Sequence, residues 1–456
     1  SRAALRLRRF GRRWLQCFKA EASDGMAFLG RLEWERPARG GRLRPAAFAL
    51  DEIRSTTGFD LASIHDRLRP VFTTRFVRQQ IEHRTPSGQR IEVALDQGSI
   101  EAGNRVVPLR EIKFELIEGD LVPMLEHVRA LIPELLLELE VRSKAERGYQ
   151  LAAGERAEPI KARRPRLNAE DDTGTALGSV IGGCVSQIAV NVHGVANSRD
   201  PEYLHQLRVG LRRLRSGIRV FRACASVEGT QTLVDGLRAQ LPALGAARDW
   251  DVVTAMLERC ITGAADEGVE VSPIVRWARR RRAIARRKAR SVARSSGFQQ
   301  LLLDVLIWVE RARAEPTRPS AQTEGPRRIG DLAKQKISKL ARKAEQLGDA
   351  SAWSDATARH TLRIRLKRLR YLCEFFAGCF KRKRLRRYLE RLEALQDTLG
   401  ELNDITTARR LLQTLNAPDR GLQLAFIRGW LSAREDALIT ELDAAWGAFR
   451  QQTLLG

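Results

Sequence analysis

The sequence predicts an α+β chain of two domains, an antiparallel β domain at the N-terminus and an all-α, duplicated helical bundle behind it. Three observations predict this. Residues 1–117 read as strands, with apolar and polar residues alternating at period two so that one face is packed. From about residue 173 the spacing changes to long amphipathic helical runs. Within those runs a basic segment returns 155 residues later with its neighbours in register.

The strand signals come first. Ala4-Leu5-Arg6-Leu7-Arg8, Ile91-Glu-Val-Ala-Leu95 and Ile112-Lys-Phe-Glu-Leu116 alternate, and Thr85-Pro-Ser-Gly88 and Glu118-Gly119-Asp120 mark turns. A helix over about 120–140 completes an N-terminal domain of residues 1–150. The polar stretch 146–172, with Gly154, Pro159, Pro165, Asp171 and Asp172, reads as linker, its 151–172 portion outside either domain. The Pro-rich stretch 315–328 reads as a loop that divides the helical part into halves, 173–314 and 329–456.

The 456 residues carry a net charge of +25, with a pI near 10.8. Such a chain attracts polyanions: nucleic acid, polyphosphate or an anionic membrane face. Six cysteines lie far apart with no CxxC pair, which argues against a zinc ribbon or a disulfide scaffold and for the reducing cytoplasm. No run of about 18 apolar residues predicts a membrane span. The Ser1 start fits either removal of an initiator Met or a shortened chain, and it is too charged for a signal peptide.

The repeat carries the chemistry. His205-Gln-Leu-Arg-Val-Gly-Leu-Arg-Arg-Leu-Arg215 matches His360-Thr-Leu-Arg-Ile-Arg-Leu-Lys-Arg-Leu-Arg370, and Leu244-Gly245 and Asp249 match Leu399-Gly400 and Asp404 at the same offset. On a helical wheel, Leu207, Leu211, Leu214, Ile218 and Phe221 share one arc; Leu362, Leu366, Leu369, Cys373 and Phe376 do so in the second copy. A separate arc holds His205, Arg208, Arg212, Arg215 and Arg219. Its counterpart holds His360, Arg363, Lys367 and Arg370, with Glu374 in the fifth place. Arg213 and Arg368 adjoin these rows and extend them. Like charges at this spacing repel, and arginine forks match phosphate oxygens, so an anion would neutralise the rows. The alternative is a solvated face paired with acids elsewhere, Asp249 and Asp404 among them. The two histidines either donate to phosphate or orient a neighbouring arginine. No nucleophile or carboxylate pair stands beside them, so no catalytic residue is assigned. The run Arg276 to Arg294 either extends the basic surface or faces solvent.

At these helices and at the two Leu-Gly-x-x-[Arg/Asn]-Asp blocks the chain resembles the CHAD family, the conserved histidine α-helical domain. The resemblance implies a duplicated helical bundle whose basic surface binds inorganic polyphosphate, with association to polyphosphate granules. The N-terminal part resembles the CYTH, or triphosphate tunnel metalloenzyme, family in Ala4-Leu5-Arg6-Leu7-Arg8, Trp14 to Lys19, Arg31-Leu-Glu33-Trp-Glu35, Arg75, Ala94-Leu-Asp96-Gln-Gly98 and Glu111-Ile-Lys113-Phe-Glu115. That resemblance implies a closed β tunnel in which Arg6, Arg8, Lys19, Arg31 and Arg75 hold triphosphate, while Glu33, Glu35, Glu111 and Glu115 hold Mg²⁺ or Mn²⁺. The chain departs from the pattern twice. The opening Glu-x-Glu-x-Lys strand is missing, and Lys113 stands in the middle of the Glu-x-Glu-x-Glu strand. A complete chain of this kind is expected to form an incomplete tunnel with weak or no hydrolysis; a fragment would regain a triphosphatase from its missing strand. The expected function is therefore polyphosphate binding. The alternatives are a metal-dependent inorganic triphosphatase with a substrate-binding helical module, and a nucleic-acid binder, against which the 6% aromatic content counts.

Overall fold

The computed structural model describes residues 3–21, 31–154, 158–222, 227–314, 328–350, 353–415, 418–452 and 454. It divides into two compact units, Ser1–Glu158 and Pro159–Gly456.

The first unit holds two three-stranded antiparallel sheets. β1 (Ala3–Phe10), β2 (Arg13–Glu21) and β3 (Arg31–Pro37) form one; β4 (Thr73–Arg84), β5 (Arg90–Ala102) and β6 (Arg105–Glu118) form the other. The expectation was an incomplete tunnel, and among the described residues no strand pairing joins the two sheets. Gly98 shows why β4 and β5 lie so close. A Cβ there would stand 1.9 Å from the Arg75 carbonyl oxygen.

The all-strand expectation for residues 1–117 fails between the sheets. Short 3₁₀ turns at Arg39–Gly41, Pro45–Ala47 and Ala62–Arg67 flank α1 (Leu50–Thr57), and Ile53 joins Phe18, Ala20, Phe48 and Leu61 in a buried cluster. Asp51 and Glu52 in the first turn and Gly58 just past the last are helix boundary signals. α2 (Leu121–Leu135) ends sooner than expected, at Leu136, whose φ is 51°. The expected linker also begins too early. Ser143 and Glu146 form a reciprocal capping box that starts α3 (Lys144–Ala153), and Gly154 ends it. Residues beyond 159 belong to the second unit, where the buried Asn191 amide holds both backbone groups of Ile160.

The second unit is all helix. Its first half contains α4 (Thr173–Asn197), α5 (Pro201–Phe221), α6 (Thr230–Ala239), α7 (Leu241–Asp266), α8 (Ser272–Ala293) and α9 (Ser296–Ala314). Its second half contains α10 (Ile329–Asp349), α11 (Ala356–Phe375), α12 (Arg382–Leu412) and α13 (Gly421–Arg450). At the 155-residue offset α4 matches α10, α5 matches α11, α6 with α7 match α12, and α8 matches α13. Pro242 separates α6 from α7 because it lacks an N–H. Its counterpart is Asp397, and α12 runs straight through. The expected loop over 315–328 lies outside the described residues except for Arg328.

Both apolar arcs are fully buried, with each of their ten side chains at 0% exposure. Repeat-equivalent Phe221 and Phe376 meet edge to face at 6.3 Å, which places the pseudo-twofold axis between α5 and α11. α4 is the one helix among the described residues long and apolar enough to cross a membrane, and 78% of that stretch is buried inside the bundle. The five cysteines described are free thiols; Cys224 lies outside the described residues.

Candidate anion-binding site

Two aspartates 155 residues apart start the two site helices in the same frame. Asp200 accepts the Glu202 N–H at 2.8 Å, and Asp355 accepts the Thr357 N–H at 2.8 Å. The helices then bring together His205, Arg208 and Arg212 of α5, Arg363 and Lys367 of α11, and Arg248 of α7, each within the electrostatic field of others in the group. Arg208 and Arg363 are repeat equivalents, as are Arg212 and Lys367. The carboxylates that act on the cluster, Asp249 and Asp404, are equivalents too. The duplication of sequence thus becomes a twofold cluster of cations. Arg248 was missing from the sequence-based set, although the Leu-Gly-x-x-Arg-Asp block contained it.

The cluster is under electrostatic load. Burial, then the charges of Arg363 and Arg212, push Lys367 from 10.5 down to about 6. Burial and Arg212 disfavour the charge on Arg208, down to about 10, against the pull of Asp249. Burial also lowers Arg363, opposed by Asp404. His205 falls to about 4 under burial and the charge of Arg248. The Nε groups of Arg208 and Arg363, again equivalents, are buried without a hydrogen-bond partner. Such orphaned donors are costly and seldom left unmet. Gly245 makes room for one of them: a Cβ there would stand 2.8 Å from Arg208 Nη1.

The remaining predicted residues divide. Arg215, Arg219 and Arg368 gather in a second group with Arg365 and Arg238. Arg213 leaves the rows altogether. It is 3% exposed, paired to Glu374 and stacked over Tyr371 and Phe375. Arg370 pairs with Glu374 at 2.8 Å and Glu393 at 3.0 Å. His360 is exposed and meets Asn403 through Nδ1 at 2.9 Å. In the Arg276–Arg294 run, Arg286, Arg290 and Arg294 donate to the carbonyls of Arg199, Ser198 and Ala196, so this face closes the C-terminal end of α4.

In the first unit two of the four predicted metal carboxylates, Glu33 and Glu35, lie close together, and all four are near basic side chains. Glu33 takes hydrogen bonds from Cys17, Lys19 and Arg6; burial would raise it, but these partners hold it at about 2. Glu35 lies 3.9 Å from Arg6. Glu111 pairs with Lys144 and Arg147 of α3, and Glu115 pairs with Lys113. Arg75 pairs with Glu101 at 3.2 Å, and burial lowers Arg8 beside Arg6 and Arg78. The Arg31 side chain lies outside the described residues. Cys17, Glu33 and Glu35 have ligand atoms within 4.8 Å of one another. Burial and Glu33 nevertheless push the thiol up to about 12, and Mg²⁺ or Mn²⁺ requires a shell of oxygens. As placed, these residues do not fit such an ion. The sequence reading quoted Asp96 in a strand without giving it a role; it is fully buried between Arg78 and Lys144 at 2.7 and 2.8 Å.

The CHAD domain family model matches residues 179–413. The chain belongs to the CHAD family. The crystal structure of the CHAD domain from the plant Ricinus communis matches with a TM-score of 0.55 at 29% identity, covering 65% of this chain and 98% of that one. An uncharacterized Mycobacterium tuberculosis protein, Rv2226, is 29% identical over 239 residues, 51% of this chain and 44% of its own length. The N-terminal region is similar to a protein of Haemophilus influenzae named inorganic triphosphatase. The identity there is 39% over 88 residues, 19% of this chain and 24% of that protein. The chain therefore covers less than half the length of these curated relatives.

Proposed function

We propose that the CHAD unit binds inorganic polyphosphate at the twofold cluster of Arg208, Arg212, Arg363 and Lys367, with His205 beside it. The carrying observation is the pair of equivalent arginines whose Nε donors are buried and unmet. A chain of phosphates supplies both the acceptors and the negative charge that this cluster lacks. His360 opens the second basic row as His205 opens the first and is assigned to the same site, with Nδ1 engaged by Asn403. Nucleic acid offers the same charge but a different spacing and bulk. Long-chain polyphosphate should therefore displace DNA from the protein at equal phosphate concentration, and the reverse order would overturn the proposal. Binding should also weaken steeply with salt, as for other polyanions. A location in the cytoplasm beside polyphosphate granules belongs to this reading; the free thiols are compatible with it, and fluorescence co-localisation tests it.

Proton uptake follows from Lys367. The free protein holds this amine mostly neutral above about pH 6. A bound polyanion favours the ammonium, so binding takes up a proton and affinity falls as pH rises above about 6. Titration with long chains, whose end groups are few, should show this slope. Lys367→Arg should flatten it.

A second reading rests on the triphosphatase similarity of the N-terminal region, which fits a metal-dependent hydrolase without naming the metal. In that reading the CHAD unit presents substrate. Phosphate release from tripolyphosphate with Mg²⁺ or Mn²⁺, lost in Glu111→Ala, supports it. The pairing of Glu111 with Lys144 and Arg147 favours weak or absent turnover.

A further inference from the structure

The chain has six histidines, and two of them meet in the first unit. His83 stands near the end of β4 and His127 in the middle of α2. Their ring centroids are 5.3 Å apart, with the ring planes inclined by 27°. Both side chains are half-buried.

The pleat of the sheet sets this pair apart from the charged residues of the same strands. His83 lies opposite Ile91 of β5, and Ile91 lies opposite Leu116 of β6. Arg78, Asp96 and Glu111 form another such row. Arg78 and His83 are an odd number of residues apart on β4, so the two rows project from opposite faces. α2 packs on β6 and reaches β4 through the imidazole contact.

Two imidazoles from separate elements are a chelating set. Imidazole suits Zn²⁺, Cu²⁺ and Ni²⁺, whereas Mg²⁺ and Ca²⁺ require a shell of oxygens. With ion–nitrogen bonds of about 2.0–2.1 Å and tetrahedral angles, two imidazoles on one ion have ring centroids roughly 5 Å apart. The observed 5.3 Å agrees with that span. The outer torsion of a histidine is broad, so each ring can turn a nitrogen towards the shared point without moving its backbone. Burial, then the charge of His83, lowers the pKa of His127, which leaves that ring neutral near pH 7, the form that ligates.

We propose that His83 and His127 bind one late first-row transition ion, Zn²⁺, Cu²⁺ or Ni²⁺, as a clip that fastens α2 to β4. With two protein ligands the other coordination positions stay open to water or a small ligand. The clip is independent of the carboxylates expected to hold Mg²⁺ or Mn²⁺ and of any anion bound by the helical unit.

The test uses the full chain, stripped with chelator and free of polyphosphate, with Zn²⁺, Ni²⁺ and Mg²⁺ as probes. His83→Gln and His127→Gln should each weaken the tightest Zn²⁺ site roughly tenfold or more, since even residues that only support a ligand are worth that much. His193→Gln, at an exposed histidine of α4, should leave the affinity unchanged. Saturating Zn²⁺ should raise the melting temperature of wild type more than that of either variant, and Mg²⁺ should raise none of them through this pair. A small amount of Ni²⁺ should broaden the ring-proton signals of His83 and His127 before those of any other histidine. That last measurement needs wild type alone, so it decides even where a variant fails to fold. Equal Zn²⁺ affinity in wild type and both variants, or first broadening at another histidine, overturns the clip.

Discussion

Arg212→Glu combined with Lys367→Glu is expected to abolish retention on polyphosphate while leaving the fold intact or more stable. The two positions are repeat equivalents at the centre of the cation cluster. Each donates to the bound anion in the proposed complex. Losing two charge-assisted contacts removes roughly 3–6 kcal/mol, or about two to four decades of affinity, before the repulsion of the new carboxylates is added. The stability prediction has the opposite sign for a physical reason. In the free protein, Lys367 is held at about 6 by burial and by Arg363 and Arg212, so its charge is unwelcome there. A carboxylate placed between Arg208 and Arg363 would be attracted where the ammonium was repelled. Thermal unfolding should therefore stay level or rise as binding vanishes. Unchanged retention would remove the cluster from the site, and a collapse of the melting temperature would show that the cations hold the fold rather than a ligand.

Much of this site was legible because duplication writes the same instruction twice. The offset between His205 and His360 identified two equivalent helices, and the apolar arcs fixed which faces are buried. The basic arcs then had to share the remaining face. Contacts between residues far apart in sequence were not legible. Arg213 sits among Arg212, Leu214 and Arg215 and looks like one more base. On the wheel it falls about 100° beyond Arg212, and Glu374, 161 residues away, meets it there. The same blindness affected the first unit. Glu111 reads as a metal ligand on a strand, but Lys144 and Arg147 come from a helix not foreseen in the sequence, most of it read as linker from its polarity. Strand alternation likewise has no means of announcing α1, whose packing depends on Phe18 and Leu61.

Glu374→Ala should be a severely destabilising charge removal in the helical unit. Arg213 is 3% exposed, and Glu374 is its ion-pair partner, with Tyr371 and Phe375 beneath the guanidinium. Removing the carboxylate leaves a buried, uncompensated cation, which typically costs about 3–5 kcal/mol. Arg370 loses one of its two partners but keeps Glu393. At roughly 2–4 °C per kcal/mol for units of this size, the melting temperature should drop by about 6–20 °C. Replacing both partners with apolar residues, Arg213→Met with Glu374→Leu, removes the cation and its counter-charge together and should be near neutral. That double variant separates structure from binding. Retained affinity for polyphosphate would confirm that Arg213 serves the helix interface, where α5 and α11 cross, and not the anion. Loss of affinity with an unchanged melting temperature would return Arg213 to the site and make the Glu374 pair a competitor of the ligand.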